Sequence, residues 1–239
     1  SGPYHNVSNP AGFGDYVSDR VLFDPWLAAD PTIVPPEGFS SVIFLPGLQA
    51  SRLYKTQLFE NQLWEPNRNA DVEKLYLDSN GQSLDSGIYT RDVIDEVNVS
   101  PIGQGNIYKS FMSDLDDLVT EEKINAWKAL PYDWRGEIED IATGDIKLAD
   151  GATYRMISEI EALAQNSFTN KVSIVAHSNG GLVAKMIVKK LEEAGKANLI
   201  DKLILVAVPQ LGTPKAISAI LHGDEQSLAL GTILSHSTA

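Results

Sequence analysis

The stretch KVSIVAHSNGGLVAK, from Lys171 to Lys185, decides the fold that we predict for this chain. It begins as an apolar run typical of a buried strand and ends with apolar residues at helical spacing. Ser178 stands at the junction, and two small residues, Ala176 and Gly180, lie two positions to either side. A sharp strand-to-helix turn requires small residues there and exposes the central hydroxyl. Ser178 is therefore a candidate nucleophile; the simpler interpretation is a serine that only begins a helix.

Other segments carry the patterns of strands and helices in alternation. Strands are predicted over Ser41–Leu45, Ile124–Leu130 and Leu203–Val208. The last is entirely apolar, which is typical of a parallel strand covered on both faces. Helices are predicted over 107–119, 152–166 and 182–191, and the residues after Pro214 read as helix, turn, helix. This alternation predicts a parallel sheet with helices on both faces.

A serine hydroxyl is a weak nucleophile that needs a base and hydrogen-bond donors for the oxyanion that forms. One donor is expected at the start of the helix after Ser178, and the other in a second loop at the same sheet edge. Pro46-Gly47 follows the first strand and provides that loop. We therefore predict an oxyanion hole made of the backbone N–H groups of Leu48 and Asn179, although Pro46-Gly47 by itself equally suits a plain turn.

Composition excludes several classes of function. The net charge of −13 argues against a nucleic-acid partner. Cysteine is absent, no His/Asp/Glu cluster has metal-ligand spacing, and no phosphate-binding glycine motif appears, so we predict neither metal nor cofactor. No apolar run is long enough for a membrane span. The first residues, SGPYHNVSNPAGFG, lack the pattern of a signal peptide.

Five segments together resemble the lecithin:cholesterol acyltransferase family, a lipase-like branch of the α/β-hydrolases. They are FLPGLQASRLY (44–54), LWEPN (63–67), LPYDWR (130–135), IVAHSNGGLVAK (174–185) and VAVPQLGTPKAI (206–217). The resemblance implies an α/β-hydrolase fold, with a mostly parallel sheet, helices on both faces, a cap or lid excursion, and an incomplete C-terminal end. It divides the chain into an irregular segment (1–40), a core (41–217) with a cap-like insertion over about 54–106, and the start of a lid or connector (218–239).

The resemblance also assigns residues. It implies that Ser178 is the nucleophile and that Leu48 and Asn179 occupy the oxyanion-hole positions. It places Gly212-Thr213-Pro214 in a loop near the pocket. Asp133 and Arg135 fall in a family block, where we expect them to brace loops rather than take part in chemistry. Ala176, Gln210 and the run Leu48-Gln49-Ala50 depart from the family's usual residues, which leaves the substrate open.

Apolar residues in the cap-like insertion have two interpretations. Leu58, Phe59, Leu63 and Trp64 are candidates for contact with acyl chains or a lipid surface, with Leu63 and Trp64 as predicted substrate-binding residues. The alternative is a packed core of the cap itself.

The partners of the serine are not evident after residue 178. In this fold the acid and the histidine follow the serine on later strands. Candidates within the chain are poor: His177 adjoins the serine on a sharp turn, where neighbouring side chains point apart, and His5, His222, His236 and Asp224 have the wrong order or context. We therefore expect the acid and histidine to come from beyond residue 239, as a further segment or a separate chain, and these 239 residues alone to be inactive.

The sequence thus predicts a serine hydrolase that acts on lipid-like carboxylic esters through an acyl-enzyme. Water as acceptor makes a lipase or esterase, and an alcohol makes an acyltransferase. The alternative is a non-catalytic α/β-hydrolase-like module that binds a ligand or partner. Peripheral membrane contact is a further expectation, and the compartment stays open, with a lean toward secretion or the cell envelope.

Overall fold

The computed structural model describes residues 38–66, 69–99, 103–214, 216, 224–227 and 235–238. The predicted irregular segment therefore lies outside the described residues except for its last three. Helices and strands follow in this order: β1 (Ser41–Leu45), β2 (Ser51–Thr56), β3 (Glu60–Trp64), α1 (Asn69–Glu73), β4 (Ile88–Val93), β5 (Glu96–Val99), β6 (Gly103–Asn106), α2 (Lys109–Thr120), β7 (Trp127–Ala129), α3 (Ile138–Thr143), β8 (Ile146–Lys147), β9 (Thr153–Tyr154), α4 (Met156–Gln165), β10 (Val172–His177), α5 (Asn179–Glu193), β11 (Ile200–Val206), β12 (Asp224–Ser227) and β13 (Ser235–Thr238).

Four parallel strands form the central sheet, in the order β11-β10-β1-β7. The end of β1 pairs with the end of β10, Leu45 opposite Ala176, and the end of β10 pairs with the end of β11, His177 opposite Val206. The loops that follow these strands therefore meet at one edge of the sheet, where ligands bind in open sheets of this kind. The predicted parallel sheet is confirmed, and β10 and α5 flank Ser178 as the opening stretch predicts.

Helices cover both faces of the sheet, because successive side chains of a strand point to opposite faces. On one face Phe44 packs against Tyr108 and Phe111 at the start of α2. On the other face, Ile43 and Leu45 belong to the largest buried cluster, which also contains residues of α3, α4 and α5. The prediction of helices on both faces is confirmed.

The chain between β1 and α2 forms a smaller antiparallel sheet, in the order β3-β2-β4, followed by the hairpin of β5 and β6. This sheet has its own buried cluster, which includes Leu53, Leu63 and Trp64. A tight turn is present at Ser79-Asn80-Gly81, where the carboxylate of Asp78 accepts hydrogen bonds from the N–H groups of Asn80 and Gln82.

Three expectations differ from the structure. The strand predicted over Ile124–Leu130 is limited to Trp127–Ala129. Residues 224–227, in the segment predicted as helix, turn, helix, instead pair with residues 235–238 as antiparallel strands. Strand β11 is covered on one face only in the described part of the chain, because it lies at the sheet edge: Leu203 and Leu205 pack on the core, whereas Ile204 and Val206 are 45% and 46% exposed.

No described helix combines the length and the apolar character that crossing a membrane requires.

Candidate active site

Ser178 lies in the tight turn between β10 and α5. Its backbone has φ 50° and ψ −123°, a region that non-glycine residues adopt only when the surroundings enforce it. The N–H of Ser178 donates to the carbonyl of Val206 at 2.9 Å, which ties the turn to β11. The side chain is partly exposed and makes no capping hydrogen bond to the helix. The simpler interpretation, in which Ser178 serves as a helix cap, therefore has no hydrogen bond to support it.

Two glycines after Ser178 let the helix approach its neighbours closely. A Cβ at Gly180 would lie 2.4 Å from the carbonyl oxygen of Pro46 and 2.6 Å from that of Leu45. A Cβ at Gly181 would lie 2.1 Å from the side chain of Val208. The requirement for a small residue at 180 thus has a direct cause, which is the contact between the first turn of α5 and the loop after β1.

The loop that follows β1 lies against Ser178. A Cβ at Gly47 would be 3.2 Å from the Cβ of Ser178, so the backbone of this loop passes directly beside the serine. Leu48, the next residue, is exposed, and its N–H makes no hydrogen bond to any described residue. Asn179 is the first residue of α5, where the N–H has no acceptor within the helix. The structure thus brings Ser178 together with the segments that carry both predicted oxyanion donors.

Tyr108 joins the same site, and the sequence offers no signal for it beyond its position at the start of an amphipathic helix. Its hydroxyl accepts the N–H of Gly47 at 3.1 Å and lies 2.7 Å from Nδ1 of His177. Burial lowers the pKa of His177, which keeps the ring neutral. The ring of His177 therefore hydrogen-bonds to Tyr108, on the side of the loop after β1.

The block after β7 braces loops. Arg135, whose side chain is 5% exposed, forms a two-pronged ion pair with Asp133 and donates to the carbonyl of Leu75 at 2.8 Å. The indole N–H of Trp134 donates to the carbonyl of Ser51 at 3.1 Å. These contacts connect the central sheet to the antiparallel sheet. They agree with the expectation that Asp133 and Arg135 hold loops in place.

Leu63 and Trp64 are buried in the cluster of the antiparallel sheet. This is the packed core of the insertion that was the alternative to substrate contact. Leu63 has no exposed surface, so in this structure it has none to offer a ligand. The indole N–H of Trp64 donates to the carbonyl of Gln49 at 2.7 Å. Trp64 also lines a surface cavity of about 350 Å³ beside Leu48 and Trp134. Contact of Trp64 with substrate thus stays a prediction.

The remaining predicted residues are less informative. Among the described residues, no group of three or more His, Asp or Glu side chains is placed to hold a metal ion. Gly212, with φ +84°, and the two residues after it lie exposed beyond β11. His5 and His222, and the side chains of His236 and Asp224, fall outside the described residues.

Comparison with known protein families gives a match. The family model described as Lecithin:cholesterol acyltransferase matches residues 77–239, which include the Ser178 turn and the block around Arg135. A search of curated proteins finds no match. The match covers well over half of the chain. The chain therefore belongs to the lecithin:cholesterol acyltransferase family.

Proposed function

We propose that this chain supplies the nucleophile and the oxyanion hole of a serine enzyme that transfers or hydrolyses the acyl group of a lipid-like carboxylic ester. Membership of the lecithin:cholesterol acyltransferase family implies activity of this broad kind, acyl transfer or ester cleavage on lipids. The finer steps are our proposal and rest on the geometry around Ser178.

One observation carries the proposal: a serine that does not cap its helix is partly exposed in a strained turn, beside the Pro46–Leu48 loop. In the proposed reaction, Oγ of Ser178 gives its proton to a base and attacks the ester carbonyl carbon. The N–H groups of Leu48 and Asn179 hold the oxygen anion of the tetrahedral intermediate. Its collapse breaks the ester bond, the departing alcohol takes up the proton, and water or a second alcohol then releases the acyl group from Ser178.

The base and its carboxylate are proposed to come from beyond residue 239, on a further segment or a separate chain. His177 supports this, because its Nδ1 pairs with Tyr108. The half-exposed outer face of β11 supports it as well. The helices that connect later strands of the same sheet would cover apolar side chains of this kind.

Exposed apolar side chains support a lipid-like substrate. Leu58 and Phe59, at the tip between β2 and β3, are 91% and 84% exposed. Two adjacent large apolar residues at a hairpin tip suit shallow insertion into a lipid surface. We therefore retain peripheral membrane contact as part of the proposal.

The second candidate is a non-catalytic module that binds a ligand through the same turn. The position of His177 favours it, because Nδ1 of this histidine, which adjoins the serine, pairs with the hydroxyl of Tyr108.

A fluorophosphonate probe, which reacts with activated serines, distinguishes the two candidates. We expect the full-length protein to be labelled at Ser178, the Ser178→Ala variant to lose labelling, and Ser158→Ala, an exposed serine on α4, to keep it. We also expect the 239-residue chain alone to be labelled far more slowly than the full-length protein. Absence of labelling in the full-length protein would favour the binding module.

A further inference from the structure

One peptide group beside Ser178 is held at both of its polar atoms by tyrosine hydroxyls. The hydroxyl of Tyr132 donates to the carbonyl oxygen of Pro46 at 2.7 Å, and the N–H of Gly47 donates to the hydroxyl of Tyr108 at 3.1 Å. The carbonyl of Pro46 and the N–H of Gly47 belong to the same planar unit. Tyr108 packs with Phe44 on one face of the sheet, and Tyr132 packs with Leu45 on the other. The peptide is therefore held from both sides of the sheet.

Each tyrosine also reaches a neighbour of Ser178. Tyr108 pairs with Nδ1 of His177 at 2.7 Å, and the side-chain N–H of Asn179 donates to the hydroxyl of Tyr132 at 3.5 Å. The two hydroxyls thus connect the loop after β1 to the residues before and after the serine. A shift of the loop relative to the serine would break several of these hydrogen bonds at once.

The protonation of both tyrosines suits these contacts. Burial raises the pKa of Tyr108 and of Tyr132, so both hydroxyls keep their protons at neutral pH. Tyr132 uses its proton for the carbonyl of Pro46. Tyr108 accepts from Gly47, which leaves its own proton for Nδ1 of the neutral His177 ring.

The sequence of the loop explains why such a restraint is needed. Residue 47 favours glycine, because a Cβ there would be crowded, at 3.0 Å from Nδ1 of His177 and 3.2 Å from the Cβ of Ser178. Glycine, however, leaves the backbone more conformational freedom than any other residue. An oxyanion hole accelerates a reaction only when its donors are held in place beforehand. Hydrogen bonds to the loop therefore have to restrict the backbone conformation that glycine leaves free.

We propose that Tyr108 and Tyr132 are positioning residues that fix the Pro46–Gly47 peptide and thereby aim the N–H of Leu48 at the oxyanion. This inference rests on the proposed function. Neither hydroxyl takes part in bond making or breaking; both act through the backbone of the loop. A purely structural role would lower stability alone, whereas this role lowers the rate of the chemical step.

The test compares full-length Tyr108→Phe, Tyr132→Phe and the double variant with Tyr89→Phe. Tyr89 is a matched control, because it is buried to a similar extent and its hydroxyl also has two partners, Thr56 and Glu60, but these lie in the antiparallel sheet. On a short-chain p-nitrophenyl ester we expect kcat to fall about tenfold in each single variant and up to about a hundredfold in the double variant, near the loss of one oxyanion donor. We expect KM to stay within about twofold, since the loop acts mainly on the transition state.

Amide hydrogen exchange at residue 47, whose N–H is hydrogen-bonded, provides a readout that does not depend on activity. We expect exchange there to become at least about tenfold faster in Tyr108→Phe and Tyr132→Phe and to stay unchanged in Tyr89→Phe. Unchanged exchange in both variants, or faster exchange without a loss of kcat, would overturn the inference. An unlabelled, inactive wild type would refute the proposed function instead, while exchange would still decide whether the tyrosines hold the loop. If Tyr132→Phe does not fold, Tyr108→Phe decides alone.

Discussion

At the scale of single residues, the site depends on a glycine that has no side chain as much as on the serine itself. Gly180 has no Cβ, and this alone lets α5 begin against the carbonyl oxygens of Leu45 and Pro46. Ser178 holds a strained backbone conformation that β11 and α5 enforce through the hydrogen bonds of its N–H and carbonyl. The exposure of the hydroxyl is therefore a consequence of backbone packing.

Gly180→Ala tests this packing. The added Cβ meets backbone atoms that have no flexible end to move, so we expect a loss of about 1–3 kcal/mol in the free energy of unfolding. Labelling of Ser178 by fluorophosphonate should also slow, because the loop after β1 is displaced. Gly136→Ala is the control: its Cβ would lie 3.5 Å from Ile141, an ordinary contact, and its stability should change little. Equal stability of the two variants, measured by urea unfolding, would contradict the explanation.

His177 gives the protein a pH dependence of predictable sign. Burial lowers the pKa of His177 in the folded state below the ordinary value of about 6.5. As the pH falls below that value, the unfolded chain takes up a proton that the folded protein does not, so the free energy of unfolding decreases until the folded pKa is reached. His177→Gln should remove this contribution. Urea unfolding from pH 7.5 down to pH 5 would show a shallower decrease for the variant; parallel curves would refute the prediction.

At the scale of elements, the junction between the two sheets depends on the block after β7. Arg135 is nearly inaccessible and connects Asp133 to the carbonyl of Leu75, which follows α1. Its planar guanidinium makes several hydrogen bonds in fixed directions, which a lysine ammonium does not reproduce.

Arg135→Lys should therefore lower the free energy of unfolding by about 1–3 kcal/mol, because the carbonyl of buried Leu75 and the carboxylate of Asp133 lose hydrogen bonds. Arg155→Lys is the matched control, since Arg155 pairs with Asp145 on the surface, where both side chains are more than half exposed. Such exposed pairs contribute about 0–1 kcal/mol. Urea unfolding measures both variants, and a smaller effect at Arg135 than at Arg155 would show that the brace does not stabilise the junction.

At the scale of the whole molecule, net charge and exposed apolar residues have opposite effects on membrane binding. The net charge of −13 disfavours contact with anionic membranes, whereas Leu58 and Phe59 favour contact with an apolar surface. A lipid surface without net charge avoids the electrostatic repulsion and still accepts the apolar side chains. We therefore expect the protein to bind phosphatidylcholine vesicles more tightly than vesicles rich in phosphatidylserine.

The double variant Leu58→Ser/Phe59→Ser should weaken binding to phosphatidylcholine vesicles by at least about tenfold, a change worth about 1.4 kcal/mol and less than the burial of one such side chain. Leu84→Ser removes an equally apolar residue that is also well exposed but lies in a different turn, and it should leave binding unchanged. Vesicle sedimentation measures all three proteins. Equal binding by the double variant and the wild type would exclude the hairpin tip as the contact.

The sequence alone determined the strand-to-helix turn that carries the serine. Apolar periodicity identified β10 and α5, and the small residues 176 and 180 identified the turn, because strand-to-helix geometry restricts those positions locally. The order of the segments led to the family that the match over residues 77–239 confirms. The bounds of β7 and the strand pair of β12 and β13 escaped prediction, since short segments with few apolar residues carry little periodic signal.

Only the tertiary structure decided which distant residues support the turn. Tyr108 lies 61 positions from Gly47 along the chain and Tyr132 lies 86 positions from Pro46, and no local pattern relates them. Leu63 and Trp64 read from the sequence as candidate lipid contacts, and only the fold shows that both belong to the buried cluster of the antiparallel sheet. Local spacing determines where a hydroxyl is exposed, whereas the packing of remote elements determines which groups hold its surroundings still.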